Sequence, residues 1–166
     1  ASDVYKRQPL ELAAEGLQYF SGPFFQQRQD LLDAGNRTHP RFRYAWQFAQ
    51  ADAIVLAAPL WDLSFPALLK VYIENVSVEG ITFGCGAAGC YGICRAQRMA
   101  FLTTRGSVYE GSHLEMGSRY LQAMAEFFGI GRYDCVAADG LDAAGHDPEA
   151  ILRTACKQAA ELARKF

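Results

Sequence analysis

An unbroken apolar run, Ala53 to Ala58 ("AIVLAA"), stops at Pro59. Apolar residues at successive positions cover both faces of a strand, as in a parallel sheet packed by helices on each side. Arg98 to Thr104 ("RMAFLTT") predicts a second buried strand, and Tyr133 to Ala138 a third. Helical spacing fills the intervals. A break at Gly22-Pro23 precedes a short helix over Phe24 to Ala34, stopped by Gly35. Pro40 opens a second helix over about 41–50, with Phe42, Ala45, Trp46 and Ala49 on one face. Ser64 is placed to cap the next helix, with Pro66 in its first turn and Leu69, Ile73 and Val76 as its inner stripe. Ser112, with Glu115 three residues on, forms a capping box for a helix running to about Phe128. Asp147-Pro148-Glu149 opens a last helix with Ile151, Leu152, Ala155, Ala159 and Leu162 on one face. Between these lies a glycine- and cysteine-rich loop, Gly80 to Cys94.

Strands alternating with helices argue for an α/β fold with a parallel sheet. Ligands of such sheets bind beyond the carboxyl ends of the strands. Two segments therefore matter most, Pro59 to Leu63 and Thr103 to Tyr109.

Composition narrows the function classes. The chain has 166 residues, 51% hydrophobic and 20% charged, with a formal net charge of −2. That argues for one domain with a real core and against a disordered or nucleic-acid-binding protein. No apolar run is long enough for a membrane span, and no export signal is visible. The five cysteines do not form a disulfide framework, and with no export signal they read as reduced thiols in a cytoplasm.

Several motifs fail on context. "GCGAAG", Gly84 to Gly89, matches a dinucleotide-binding fingerprint by letter, but no strand precedes it and no helix follows. Cys85, Cys90 and Cys94 are spaced like a partial zinc or iron–sulfur site yet lack a nearby fourth ligand, so they read as free thiols. His39, His113 and His146 have no nucleophile context, which leaves no catalytic side chain and no metal ligand to name.

The two strand ends are more informative. Pro59 stops ladder pairing, Trp61 supplies a flat apolar wall, and Asp62 is suited to hold a turn through its side chain. Thr103, Thr104, Arg105, Gly106 and Ser107 present hydroxyl and backbone N–H groups at the second edge. Together they outline a slot for a planar, acceptor-rich heterocycle such as an isoalloxazine ring.

From about Arg41 to the C-terminus, "ADAIVLAAPLWDLSFPALLKVYIENVSVEGITF" followed by "AFLTTRGSVY" resembles the FMN-dependent NADH-azoreductase and NAD(P)H:quinone oxidoreductase family. The resemblance implies a flavodoxin-like three-layer sandwich. It implies FMN as cofactor, NADH or NADPH as donor, a quinone or azo acceptor, and a homodimer with sites at the subunit interface. It assigns Pro59, Leu60, Trp61, Asp62 and Leu63 to one side of the flavin ring, and Thr104, Arg105, Gly106 and Ser107 to its far edge. Phe83 and Tyr109 fall to the substrate pocket. Asp62 stands where azoreductases have Asn, so its backbone N–H is expected to make the contact. Ser107 stands where a second glycine is usual.

The resemblance also implies a strand, a phosphate-binding loop and a helix ahead of Pro9, about 30 residues that this sequence does not contain. Asp3 to Gln8 resembles the translation of a sequencing adapter, which sets residues 1–8 apart as a scar and leaves 9–166 as one domain incomplete at its front. Two other readings stay open. One is a flavodoxin-like FMN electron carrier. The other is a metal- or iron–sulfur-linked flavoprotein using Cys85, Cys90 and Cys94.

Overall fold

The computed structural model describes residues 6–166, so part of the adapter-like stretch, residues 1–5, lies outside the described residues. In chain order the elements are α1 (Gly22–Asp33), α2 (Arg43–Gln50), β1 (Ala53–Ala57), α3 (Ala67–Val76), β2 (Phe83–Gly86), β3 (Gly89–Gly92), β4 (Arg98–Arg105), α4 (Gly117–Phe127), β5 (Arg132–Asp139) and α5 (Pro148–Ala163). Strands β1, β4 and β5 form a parallel sheet in the order β1-β4-β5, with Ala53 opposite Arg98 and Arg98 opposite Arg132.

Alternation along the strands assigns the faces. Ile54, Met99 and Phe101 point to one side, where they pack with Tyr44 and Phe48 of α2, Leu69, Ile73 and Val76 of α3, and Leu121 and Ala125 of α4. Phe42, Ala45 and Ala49 form a smaller core with Val78 and Ile81, against which Leu31 and Leu32 of α1 pack. The other face meets α5, which packs on β5. Asp147 caps α5 by accepting the N–H groups of Glu149 (3.0 Å) and Ala150 (3.2 Å).

Several expectations are corrected. β1 is not covered on both faces: Ile54 is buried, but Val55 is 57% exposed. Gly22-Pro23 opens α1 rather than breaking the chain ahead of it. Ser64 does not cap α3, because Pro66 holds the N-cap position and no side chain caps the helix. The Ser112–Glu115 box does not start α4 where its letters suggest. The helix begins at Gly117, and Glu115 Oε1 accepts the Ser118 N–H at 2.9 Å.

The glycine- and cysteine-rich segment is an antiparallel hairpin of β2 and β3. Cys85 and Cys90 face each other in its register and are joined by a disulfide. The expected reduced state therefore fails for these two. Cys94, Cys135 and Cys156 are free thiols. The iron–sulfur or zinc alternative loses its basis, because two of its three thiols are bonded to each other.

Candidate functional site: a two-loop slot at the carboxyl edge of the sheet

β1 ends one residue before Ala58, and Pro59 has no N–H to continue the ladder. The backbone then crosses to β4. Ala58 N–H donates to the Leu102 carbonyl (3.1 Å), and Leu60 N–H donates to the Thr104 carbonyl (2.9 Å). The ends of the two strands are thus tied together by backbone.

Beyond Leu60 the chain reverses in two residues. Trp61 N–H donates to the Ser64 carbonyl (3.0 Å), and Ser64 N–H returns the bond to the Trp61 carbonyl (2.9 Å). The central residues, Asp62 (φ 48°) and Leu63 (φ 68°), both lie in the left-handed region, as a type I′ turn requires. Neither is glycine, and a leucine there carries a steric cost of about 1–2 kcal/mol. The backbone pair holds the turn, so the expected side-chain turn of Asp62 does not form. Trp61 is 61% exposed at the rim of this turn. The turn is also anchored from the far side, where Met116 N–H donates to the Leu63 carbonyl (2.9 Å).

The second segment follows β4. Thr104 is exposed and also lines a shallow, mainly apolar cleft of about 420 Å³ with Pro59, Leu152 and Ala155. Arg105 turns inward, its side chain only 7% exposed. Its guanidinium lies 3.4 Å from Glu115 Oε1 and 3.7 Å from Asp139 Oδ1. Its Nε is buried and has no partner among the described residues. Asp139 also accepts the N–H groups of Tyr109 (2.9 Å) and Glu110 (2.8 Å). The arginine thus holds the loop in place from behind, and the backbone of Gly106 and Ser107 is what the loop presents outward. Gly106 admits no side chain without displacing the Asp142 carboxylate, which an added Cβ would strike.

The N–H groups of Asp62, Leu63, Gly106, Ser107 and Val108 make no hydrogen bond among the described residues. Free donors on two neighbouring loops, an exposed indole and a strained turn suit a flat ring with acceptors along its edge. A cavity of about 810 Å³ lies alongside, lined by Arg105, Tyr109, Ser112, His113, Glu115 and Cys135. Burial pushes the Cys135 thiol up from its ordinary value.

The structure ties the Pro59–Leu63 segment to the Thr104–Ser107 segment at Leu60 and Thr104, with Arg105 and Tyr109 in the adjoining cavity. It does not bring Phe83 to them. Phe83 sits in β2 with its ring 4.8 Å from that of Phe127, at the far end of α4 from Met116. An 11-residue helix spans about 16 Å, so Phe83 stands near the amino ends of the strands.

Sequence reasoning missed a set of exposed apolar residues along the same edge. Val108 (56%), Leu114 (43%) and Met116 (49%) join Trp61 and Leu63 (37%) in exposing apolar side chains on these loops. The one signal they carry in the sequence is an apolar residue placed inside a loop.

Known proteins share this fold. An FMN-dependent NADH:quinone oxidoreductase of Clostridium perfringens is 39% identical over 164 residues, covering 99% of this chain and 79% of that protein. The FMN-dependent NADH:quinone oxidoreductase 2 of Clostridium acetobutylicum is 39% identical over 160 residues, covering 95% and 80%. An azoreductase structure from Bacillus anthracis superposes with a TM-score of 0.84 at 28% identity, over 95% of this chain and 80% of that one. A second Bacillus anthracis structure, an FMN-dependent NADH-azoreductase with FMN bound, shares the fold with a TM-score of 0.82 at 24% identity over 94% and 79%. The model of the flavodoxin-like fold family matches residues 7–163, and with these relatives it establishes that the chain belongs to that family.

Proposed function

We propose that this chain is an FMN-dependent oxidoreductase that passes electrons from NADH or NADPH to quinone or azo acceptors. The observation that carries the reading is the slot itself, a strained turn and a glycine loop joined by the 2.9 Å bond from Leu60 to Thr104. The relatives' named activities supply the chemistry that such a slot serves. Bound FMN would supply the two-electron chemistry between nicotinamide and acceptor.

The protein's part is binding and orientation. Asp62 and Leu63 offer backbone N–H groups to one edge of the ring, and Gly106 and Ser107 to the other. Trp61 shields the ring with an apolar wall, and Pro59 and Leu60 fix where that wall stands. Arg105 acts behind the loop, through Glu115 and Asp139. Tyr109 lines the cavity in which a donor or acceptor is received. Phe83 has no part in the slot of its own protomer. No nucleophile is required of the side chains, in keeping with the chemistry belonging to the cofactor.

The reading extends to a homodimer, supported by the apolar rim of Leu63, Val108, Leu114 and Met116, since such patches on a protein surface mark contact with partners or ligands. It includes a cytoplasmic location, where a nicotinamide donor is available. No helix of the described residues is long and apolar enough to cross a membrane.

Titration of the chain with FMN, followed by quenching of flavin fluorescence, tests the slot. Loss of NADH absorbance with and without a benzoquinone tests the reaction. Binding together with quinone-dependent NADH oxidation is expected. Protein that binds no FMN overturns the reading, and protein that binds FMN but oxidises no NADH points instead to an electron carrier.

A further inference from the structure

The hairpin of β2 and β3 carries a redox group that the flavin slot does not use. We propose that Cys85 and Cys90 are a reversible dithiol–disulfide couple that exchanges electrons with low-molecular-weight thiols of the glutathione class.

Placement is the first support. The two cysteines are directly opposed in the hairpin register and already bonded, so the couple needs no rearrangement to close. Both are exposed, as are Gly86, Ala87, Ala88 and Gly89 between them. Small side chains leave the sulfurs open to an attacking thiolate along its line of approach. No charged residue occurs from Phe83 to Cys94, so an anionic thiol meets no local repulsion.

The second support is that the bridge is not needed to build the hairpin. It joins residues only five apart, and so short a ring restrains the unfolded chain less than a long one does. The hairpin is held to the body of the protein elsewhere. Cys94 N–H donates to the Phe128 carbonyl (3.2 Å), Ile93 N–H to the Thr82 carbonyl (3.0 Å), and Phe83 packs on Phe127. Opening the bridge leaves these contacts standing. The third thiol of the cluster is a bystander. Cys94 donates its S–H to the Thr82 carbonyl (3.5 Å), and burial pushes its pKa up to about 12.

The exchange balances in two steps. A small-molecule thiolate attacks one bridge sulfur. A mixed disulfide forms, the Cys85–Cys90 bond breaks, and the released protein thiolate takes a proton from water. A second small thiolate attacks the small-molecule sulfur of that mixed disulfide. A small-molecule disulfide leaves, and the other protein thiolate is protonated. Two electrons have passed from two small thiols to the bridge.

The test is equilibration of the native chain in buffers of stepped glutathione to glutathione disulfide ratio, a quench with iodoacetamide, and mass analysis of the tryptic peptide from Val71 to Arg95. Cooperative gain of both alkyl groups, on Cys85 and Cys90, across the series is expected. Cys94→Ser leaves that transition where it was. Cys90→Ser replaces it with a single glutathione adduct on Cys85 in the oxidising buffers. A bridge that survives the most reducing buffer and opens only in denaturant would make it a structural staple and overturn the proposal. So would two alkylated thiols in the most oxidising buffer.

Discussion

Leu60 and Thr104 are joined by a backbone hydrogen bond of 2.9 Å, so the loops after β1 and β4 are held at one spacing. Leu60→Pro removes this donor and adds a ring beside Pro59. A stability loss of about 1 kcal/mol is expected. The FMN dissociation constant should rise about fivefold, as the same energy requires. Urea unfolding and flavin fluorescence measure the two effects separately.

The turn at Asp62 and Leu63 sets stability against binding. Leu63→Gly relieves a left-handed leucine at φ 68°, at the cost of a more flexible unfolded chain. The net gain should be about 0.5 kcal/mol in unfolding free energy, with FMN binding weakened by loss of the apolar side chain. If the variant is less stable than the parent, the turn is not strained in the sense described.

Arg105 is expected to matter to the fold before it matters to the flavin. Arg105→Ala leaves Glu115 and Asp139 facing a buried void without their counter-charge. A loss of about 3 kcal/mol is expected, in the range for removing one partner of a buried ion pair. Unchanged stability with a large loss of FMN affinity would move Arg105 from the support of the loop to the ring itself.

Gly92 allows the hairpin to lie on the end of α4. A Cβ there would overlap Phe128 C and Gly129 N, both backbone atoms that cannot swing aside. Gly92→Ala should cost about 2 kcal/mol or undock the hairpin. Gly84→Ala meets only the Tyr91 ring, at 2.8 Å, which can turn away, so a smaller loss in the denaturation midpoint is expected.

Cys94 gives a pH dependence with a defined sign. Burial raises its pKa to about 12 in the folded chain, against about 8.5 for a free thiol. Below the unfolded value the thiol is neutral in both states and its contribution is intact. As pH rises from there toward the folded value, the unfolded chain loses a proton that the native state keeps, and stability falls. Unfolding free energies measured across that window should show a gentler decline in Cys94→Ser than in the parent.

Much of the fold was legible because its signals are local. The apolar runs at Ala53 and Arg98, and the Asp147 cap with Pro148 behind it, needed no tertiary knowledge. The β2–β3 hairpin was not legible, since glycine and cysteine carry weak strand preference and its pairing rests on docking against α4. The start of α4 was misplaced because Glu115 matched a capping pattern by letter while its carboxylate is also committed to Arg105. At the slot, Pro59–Leu63 and Thr104–Ser107 stood out from their position after strands. Two successive left-handed residues without glycine have no sequence signature, and neither does the apolar rim at Leu114 and Met116, which exists only because the turn and the start of α4 meet.

The buried pairing of Arg105 with Glu115 and Asp139 bears on how quickly a ligand can leave. Three stretches at strand and helix ends, around residues 105–110, 115–118 and 139–142, share one set of charges and N–H bonds, so loosening one disturbs the others. A ring entering the slot meets walls already in position, and the ordering cost of association falls on the ligand rather than on the loops. Residence time then becomes the quantity that changes to these three residues should alter most, with the rate of capture left close to its original value.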